Sequence, residues 1–203
     1  MKFLFSPIAL AGAMMMPLSA TAAPKVGEAA PAFSLTDSQG QTRSLSDFAG
    51  KTVVLEWTNH ECPFVKKHYN SGNIPGQQQQ ATGNEVVWLV INSSAAGKQG
   101  HVDAAQAEKI QAGWKAAQTH YLLDPDGAVG QSYAAKTTPH MYIIDPSGTL
   151  RYAGAIDSIP SADQADLKDA TQYVPQVLSE LAAGKPVSVS LTQPYGCSVK
   201  YKG

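Results

Sequence analysis

Two cysteines occur among the 203 residues, and the first, Cys62, sits where a thiol becomes a reagent. Before it runs Thr52-Val53-Val54-Leu55-Glu56-Trp57, apolar but for one acid and read as a short buried strand. After it comes Pro63-Phe64-Val65-Lys66-Lys67-His68-Tyr69, the first turns of a helix, with Pro63 near the start where its missing N–H costs nothing. A thiol at that junction faces the positive end of the helix dipole, which favours thiolate. Such a sulfur attacks a peroxide oxygen to give a sulfenic acid, or a disulfide sulfur to give a mixed disulfide. The plain alternative is a small buried apolar side chain, a common fate of cysteine.

Cys197 has three readings: a resolving thiol that condenses with oxidised Cys62, half of a permanent bond that pins the chain end, or an unpaired thiol. Glu56 lies inside an otherwise apolar strand, where a lone carboxylate is costly unless paired or protonated. A raised pKa there suits a general base. The alternative is a carboxylate at the sheet edge bonded to a neighbouring lysine.

The elements that position these groups follow a leader. Lys2 precedes an apolar stretch from Phe3 to Leu18, and Ala20-Thr21-Ala22 offers small residues for cleavage, so residues 1–22 read as a signal peptide. That stretch is broken by Pro7 and Pro17, and no later segment is long enough to span a bilayer. The expected protein is periplasmic or secreted, with a domain at 23–184 and a tail at 185–203 that carries Cys197. About 180 residues suffice for one ordinary core. The formal charge is −1, with no Lys/Arg cluster, so neither nucleic acid nor an anionic membrane is an expected partner. Both cysteines survive the cut and face an oxidising compartment, which favours their pairing.

Residues 32–36 and 42–45 read as a hairpin around Asp37-Ser38-Gln39-Gly40, and 46–50 as one helical turn. Val86 to Ile91 is a second central strand, apolar without alternation. A helix is expected over 103–118, a short strand at Leu122-Leu123, and a short helix from Ala128 to Ala134. A hairpin at 141–144 and 149–153 turns on Asp145-Pro146-Ser147-Gly148, and Leu167 to Ala183 reads as the last helix. The alternation argues an α/β class with a mixed central sheet, helices on both faces, and a parallel connection from 52–57 to 86–91.

This arrangement resembles the thioredoxin-like fold, and within it the redoxin branch of alkyl hydroperoxide reductase and thiol-specific antioxidant (peroxiredoxin-like) proteins. The residues that carry it are Leu55 through Phe64, then Thr137-Thr138-Pro139, then the Tyr142–Gly148 hairpin. The ending Gly196-Cys197-Ser198-Val199-Lys200-Tyr201 is similar to that of a peroxiredoxin-like group in the branch. The resemblance implies a redox-active Cys62, a buried acid at Glu56 that moves protons, and a cis-proline at Pro139 presenting the Thr138 backbone. Trp57, Asn59, His60 and Pro63 would line the same site, with His60 either a cation beside the thiolate or an exposed loop residue. It further implies a peroxide or protein-disulfide substrate and a thioredoxin-like protein reductant. The sequence departs from the branch at three places. Val65 stands where thioredoxin has its second cysteine, Asn59 where typical peroxiredoxins have Thr or Ser, and neither Arg43 nor Arg151 takes the place of their arginine. Copper chaperones share the fold, and Cys62, His60, His68 and His140 are suitable ligand atoms. Those proteins carry a second cysteine nearby, absent here, so no metal or other cofactor is expected. A non-catalytic binding or copper-handling module with a structural Cys62–Cys197 disulfide remains the alternative.

Overall fold

A computed structural model describes residues 23–203, so the expected leader at 1–22 lies outside the described residues. The hairpin forms from β1 (Ser34–Asp37) and β2 (Thr42–Ser44), followed by a 3-10 turn at Leu45–Phe48. Asp37 closes that hairpin, its Oδ1 accepting the Gln39 and Gln41 amides at 2.9 and 2.8 Å and its Oδ2 the Arg43 Nε at 2.8 Å. β3 (Val53–Trp57) then enters the centre of the molecule, with every residue buried.

Two helices follow where the sequence suggested one. α1 (Pro63–Asn70) has Cys62 at its N-cap and Pro63 at its first position, as expected. α2 (Asn73–Gly83) starts from Gly72 at φ 76 and takes up the Gln77–Gln80 run. The chain returns in β4 (Val87–Asn92), parallel to β3. α3 (Ala104–Trp114) stops short of the expected 118, because Lys115 turns left-handed at φ 52. β5 (His120–Leu123), α4 (Ala128–Ser132), β6 (Thr137–Thr138), β7 (His140–Ile144) and β8 (Leu150–Gly154) complete the sheet region. α5 (Tyr173–Ala182) ends the main body.

The seven-stranded sheet runs β2-β1-β5-β4-β3-β7-β8, with β3, β4 and β5 parallel and the others antiparallel. Separate clusters pack its two faces. Val54, Trp88, Val90, Met141 and Ile143 meet α1, α2 and α5 on one face, while Leu55, Trp57, Leu89, Ile91 and Tyr142 meet Phe33, Val129 and Tyr133 on the other. This is the expected mixed α/β architecture of the thioredoxin-like class. The single helix expected over 167–183 is corrected. A 3-10 turn spans Gln164–Lys168, and the chain then pairs with the loop after β8 through Ser158 N–H to Thr171 O (3.1 Å) and Tyr173 N–H to Ile156 O (3.1 Å). Those bonds hold Gln172 extended and delay α5.

The tail is fastened along its length. Thr192 Oγ1 lies 2.6 Å from the Tyr152 hydroxyl and accepts the Ala155 amide at 2.8 Å. β9 (Cys197–Ser198) pairs antiparallel with β6, setting Thr138 opposite Cys197 and Thr137 opposite Ser198. Val199 N–H donates to Lys136 O (3.0 Å), and Tyr201 OH to Ala135 O (2.8 Å).

Gly196 is required by that path. Its φ is +123, and a Cβ there would stand 2.1 Å from the Thr138 carbonyl oxygen. Gly196→Ala is therefore expected to weaken tail docking by roughly 1–3 kcal/mol. Limited proteolysis of the folded protein checks this: cleavage within residues 186–203 should accelerate, and an unchanged rate contradicts it.

Candidate active site

The site is built where three segments meet: the N-terminus of α1, the Thr138-Pro139 peptide and β9. Asn59 shapes the loop before the helix; its Oδ1 accepts the Glu61 amide (2.9 Å), its Nδ2 donates to Gln99 O (3.3 Å), and its carbonyl accepts the Cys62 amide (3.0 Å). Cys62 is thereby held with 0% exposure, its Sγ donating to Thr138 O at 3.2 Å. The Thr138–Pro139 peptide is cis, as the resemblance implied. Cys197, half-buried, brings its own thiol onto that of Cys62, and both cysteines are free thiols.

The two thiols are driven apart in acidity. Burial alone pushes Cys62 up. The Cys197 thiol, the amides of Val65 and Cys197, and the Thr138 side chain outweigh it and hold Cys62 below its ordinary value of 9.0. Cys197 is pushed up to about 12 by burial and by its neighbour Cys62, with Lys200 only partly opposing. The pair is thus one acidic sulfur beside one that keeps its proton.

Glu56 is fully buried on the same face as Cys62. Its Oε1 accepts the Tyr69 hydroxyl (2.8 Å), and its Oε2 accepts Trp88 Nε1 (2.8 Å) and Gln78 Nε2 (3.3 Å). Burial raises its carboxyl to about 7, although Trp88, Tyr69 and Gln78 each pull it down. Among the described residues no lysine joins it, and β3 lies inside the sheet, so the sheet-edge alternative does not apply. Its hydrogen bonds run to these three side chains and not to Cys62.

Other expected site residues are placed differently. Trp57 is corrected: its indole sits on the opposite sheet face among Tyr133 and Tyr142, with Nε1 donating to Ser93 Oγ at 3.0 Å. Alternation along β3 forces this once Glu56 faces α1 and α2. Asn59 is likewise committed to its loop rather than turned toward a substrate. His60 is half-buried, and burial lowers its pKa, with Glu61 opposing and Lys66 reinforcing, so its surroundings disfavour the cation. His68 faces Asp157 and Tyr195, His140 shares its Nδ1 with the Lys136 amide and the Tyr142 hydroxyl, and among the described residues no three His, Cys, Asp or Glu side chains converge. Arg43 pairs with Asp37 and Arg151 with Asp145 at 2.9 Å. Sequence reasoning missed Tyr69, Gln78 and Trp88 around Glu56, and Lys67, Asp157 and Tyr195 beside the tail.

A reduced thiol pair at a helix N-cap, beside a cis-proline in a mixed sheet, defines a redoxin of the thioredoxin-like class. The sequence matches the AhpC/TSA family over residues 26–153, more than half its length, and the chain belongs to that family. Among solved structures it is similar to an uncharacterised conserved protein from Geobacillus kaustophilus, at TM-score 0.74 and 25% identity, covering 88% of this chain and 93% of that one. A hypothetical protein from Sinorhizobium meliloti 1021 gives TM-score 0.74 at 21% identity, covering 90% and 97%. A putative thiol:disulfide interchange protein DsbE from Chlorobium tepidum gives TM-score 0.52 at 23% identity, covering 64% and 85%. No curated protein matches the chain. No helix among the described residues is long and apolar enough to cross a membrane.

Two outcomes follow from these environments. Because the Cys197 thiol lowers the Cys62 pKa, Cys197→Ala should raise it and Cys197→Ser, which retains a donor, should raise it less. Thiolate absorbance against pH reads both. Glu56, raised from 4.5 to about 7 on folding, favours the fold fully below pH 4.5, and this contribution is lost as pH rises to about 7. It amounts to about 3 kcal/mol at 1.36 kcal/mol per pH unit. Glu56→Gln should therefore flatten the stability profile between those pH values in denaturant titrations; an unaltered slope contradicts the assignment.

Proposed function

We propose that the protein is an exported thiol oxidoreductase in which Cys62 attacks and Cys197 resolves. The observation that carries this reading is the pairing of Cys197 with Thr138, which stations a second thiol at a buried, acidified Cys62. With a hydroperoxide, the Cys62 thiolate takes the terminal oxygen, the O–O bond breaks, and the alcohol or water leaves with a proton. The sulfenic acid then condenses with Cys197, releasing water and forming the disulfide. With a disulfide substrate, Cys62 forms a mixed disulfide and expels one thiolate. Cys197 then displaces the second, leaving the same Cys62–Cys197 bond. An external dithiol protein, thioredoxin-like by the family resemblance, returns the pair to thiols and is itself oxidised.

Complete burial of Cys62 favours the smaller electrophile, a peroxide. The missing threonine and arginine argue for a slower reaction than that of a typical peroxiredoxin. Export rests on the residues 1–22 pattern alone, and Glu56 serves as a proton reservoir behind the site rather than at the sulfur.

Substoichiometric hydrogen peroxide followed by mass-spectrometric mapping tests the cycle. The expected product is a Cys62–Cys197 bond that thioredoxin reopens. Cys197→Ser should stop at sulfenic acid on Cys62, and Cys62→Ser should consume no peroxide. A disulfide substrate that yields the same bond while peroxide does not would reassign the electrophile. A bond that resists reduction until the fold is denatured would establish the non-catalytic alternative.

A further inference from the structure

Beneath the tail lies a buried charged cluster that the thiol chemistry does not use. Lys67 and His68, in the second turn of α1, and Asp157, after β8, all have side chains with 0% exposure. Lys67 Nζ stands 3.3 Å from Asp157 Oδ2, and His68 Nε2 lies 3.8 Å from the same oxygen. A desolvated carboxylate and ammonium are tolerated only when their remaining donors and acceptors are matched. The match comes from the tail: Tyr195 OH donates to Asp157 Oδ1 and stands 3.2 Å from His68 Nε2. Asn73 Nδ2 donates to His68 Nδ1 at 2.8 Å, which leaves the imidazole proton on Nε2, directed at the Tyr195 oxygen. The tyrosine is thus both donor and acceptor in a closed set. Its ring packs edge-on against Phe64 at 5.8 Å between centroids, with Lys67 Nζ 5.9 Å from the ring centre.

Phe64, Lys67 and His68 all belong to α1, the helix whose N-cap is Cys62. Only Gly196 separates Tyr195 from Cys197, and that glycine is confined by its contact with the Thr138 carbonyl. Both thiols are therefore referenced to one rigid helix: Cys62 directly, and Cys197 through the tyrosine two residues before it. We propose that Tyr195, seated on the Lys67–His68–Asp157 cluster, is the positioning residue that holds Cys197 at Cys62. The inference rests on the two-thiol reading of the site, for which it supplies the means of alignment. It concerns no new reactive atom. Its consequence is a high effective concentration of the second thiol, because a tethered group gains from a tether only when its geometry is fixed.

Tyr195→Phe keeps the ring on Phe64 and deletes the hydroxyl, so it separates anchoring from packing. The mature protein and this variant would be equilibrated in glutathione buffers and the Cys62–Cys197 bond quantified. The expected result is a fall of about tenfold or more in the closing constant, equivalent to about 30 mV for a two-electron couple. A constant unchanged within about twofold, in a variant with the parent's secondary structure, overturns the proposal. Amide hydrogen exchange on the reduced proteins gives a second readout independent of redox chemistry. The Val199 amide, bonded to Lys136 O at 3.0 Å, should exchange about tenfold faster in the variant, and equal rates overturn the anchor. His68→Leu, which removes the donor to the Tyr195 hydroxyl oxygen, should act in the same direction if Tyr195→Phe fails to fold. If the parent forms no Cys62–Cys197 bond, the two-thiol reading fails instead, and the exchange comparison still decides the role of Tyr195.

Discussion

The site depends on a backbone pairing between two very short strands, β6 and β9, which lie far apart in sequence. Cys62 owes its surroundings to this pairing: the Thr138 carbonyl receives its proton, while the Cys197 thiol and amide favour its anion. No covalent bond enforces the contact, since both cysteines are free. Two residues of ladder are marginal by themselves. The pairing persists because the tail is held on both sides of it, by Thr192 and Tyr195 before Cys197 and by Tyr201 after. Among the glycines that admit it, Gly154 and Gly196 stand where a Cβ would meet Thr192 Oγ1 or Thr138 O, each at 2.1 Å.

A second constraint lies deeper in the same face. Glu56 is placed on a central strand where no water reaches, and three neutral donors surround it instead of a cation. Donors favour the anion while burial opposes it, and the balance leaves the carboxyl near neutrality rather than fixed in one state. Gln78 also accepts the Ala117 amide at 2.9 Å, and Tyr69 stacks on Trp114 at 4.1 Å, so the network ties α1, α2 and the end of α3 to the sheet. A group able to take or release a proton near pH 7 is thereby embedded in the packing that supports the cysteine helix.

Much of the fold was legible because its signals are local. The strand-to-helix junction at Cys62, the apolar run of β4, the hairpin turns and the raised carboxyl of Glu56 each follow from a few adjacent residues. The errors arise where tertiary partners decide. β3 is buried on both faces, so its alternation has no polar phase, and the side taken by Trp57 could not be read from pattern alone. α2 contains glycine, proline and a glutamine run, and its place is set by Gln78 reaching Glu56 and Ala117. The delayed start of α5 comes from pairing with the loop after β8. Lys67 and Asp157 are ninety positions apart, and nothing in either neighbourhood announces the other. The tail has no periodicity; its tyrosines acquire meaning only from the socket and the carbonyl they meet.

The inequality of the two thiols gives the proposed cycle a direction. While Cys62 is a thiolate, its charge and its demand for a hydrogen bond help keep Cys197 protonated, with a pKa pushed up to about 12. Cys197 in that state is a donor and not a competing nucleophile. Oxidation of Cys62 to a neutral sulfenic acid removes both effects and leaves only burial, opposed by Lys200, acting on Cys197. The second sulfur becomes more easily ionised at the step that calls for it. In the proposed cycle attack falls to Cys62 and resolution to Cys197, because each protonation state is conditional on the other. Such conditional chemistry demands contact between the sulfurs before the reaction begins, which a loosely tethered tail would not maintain.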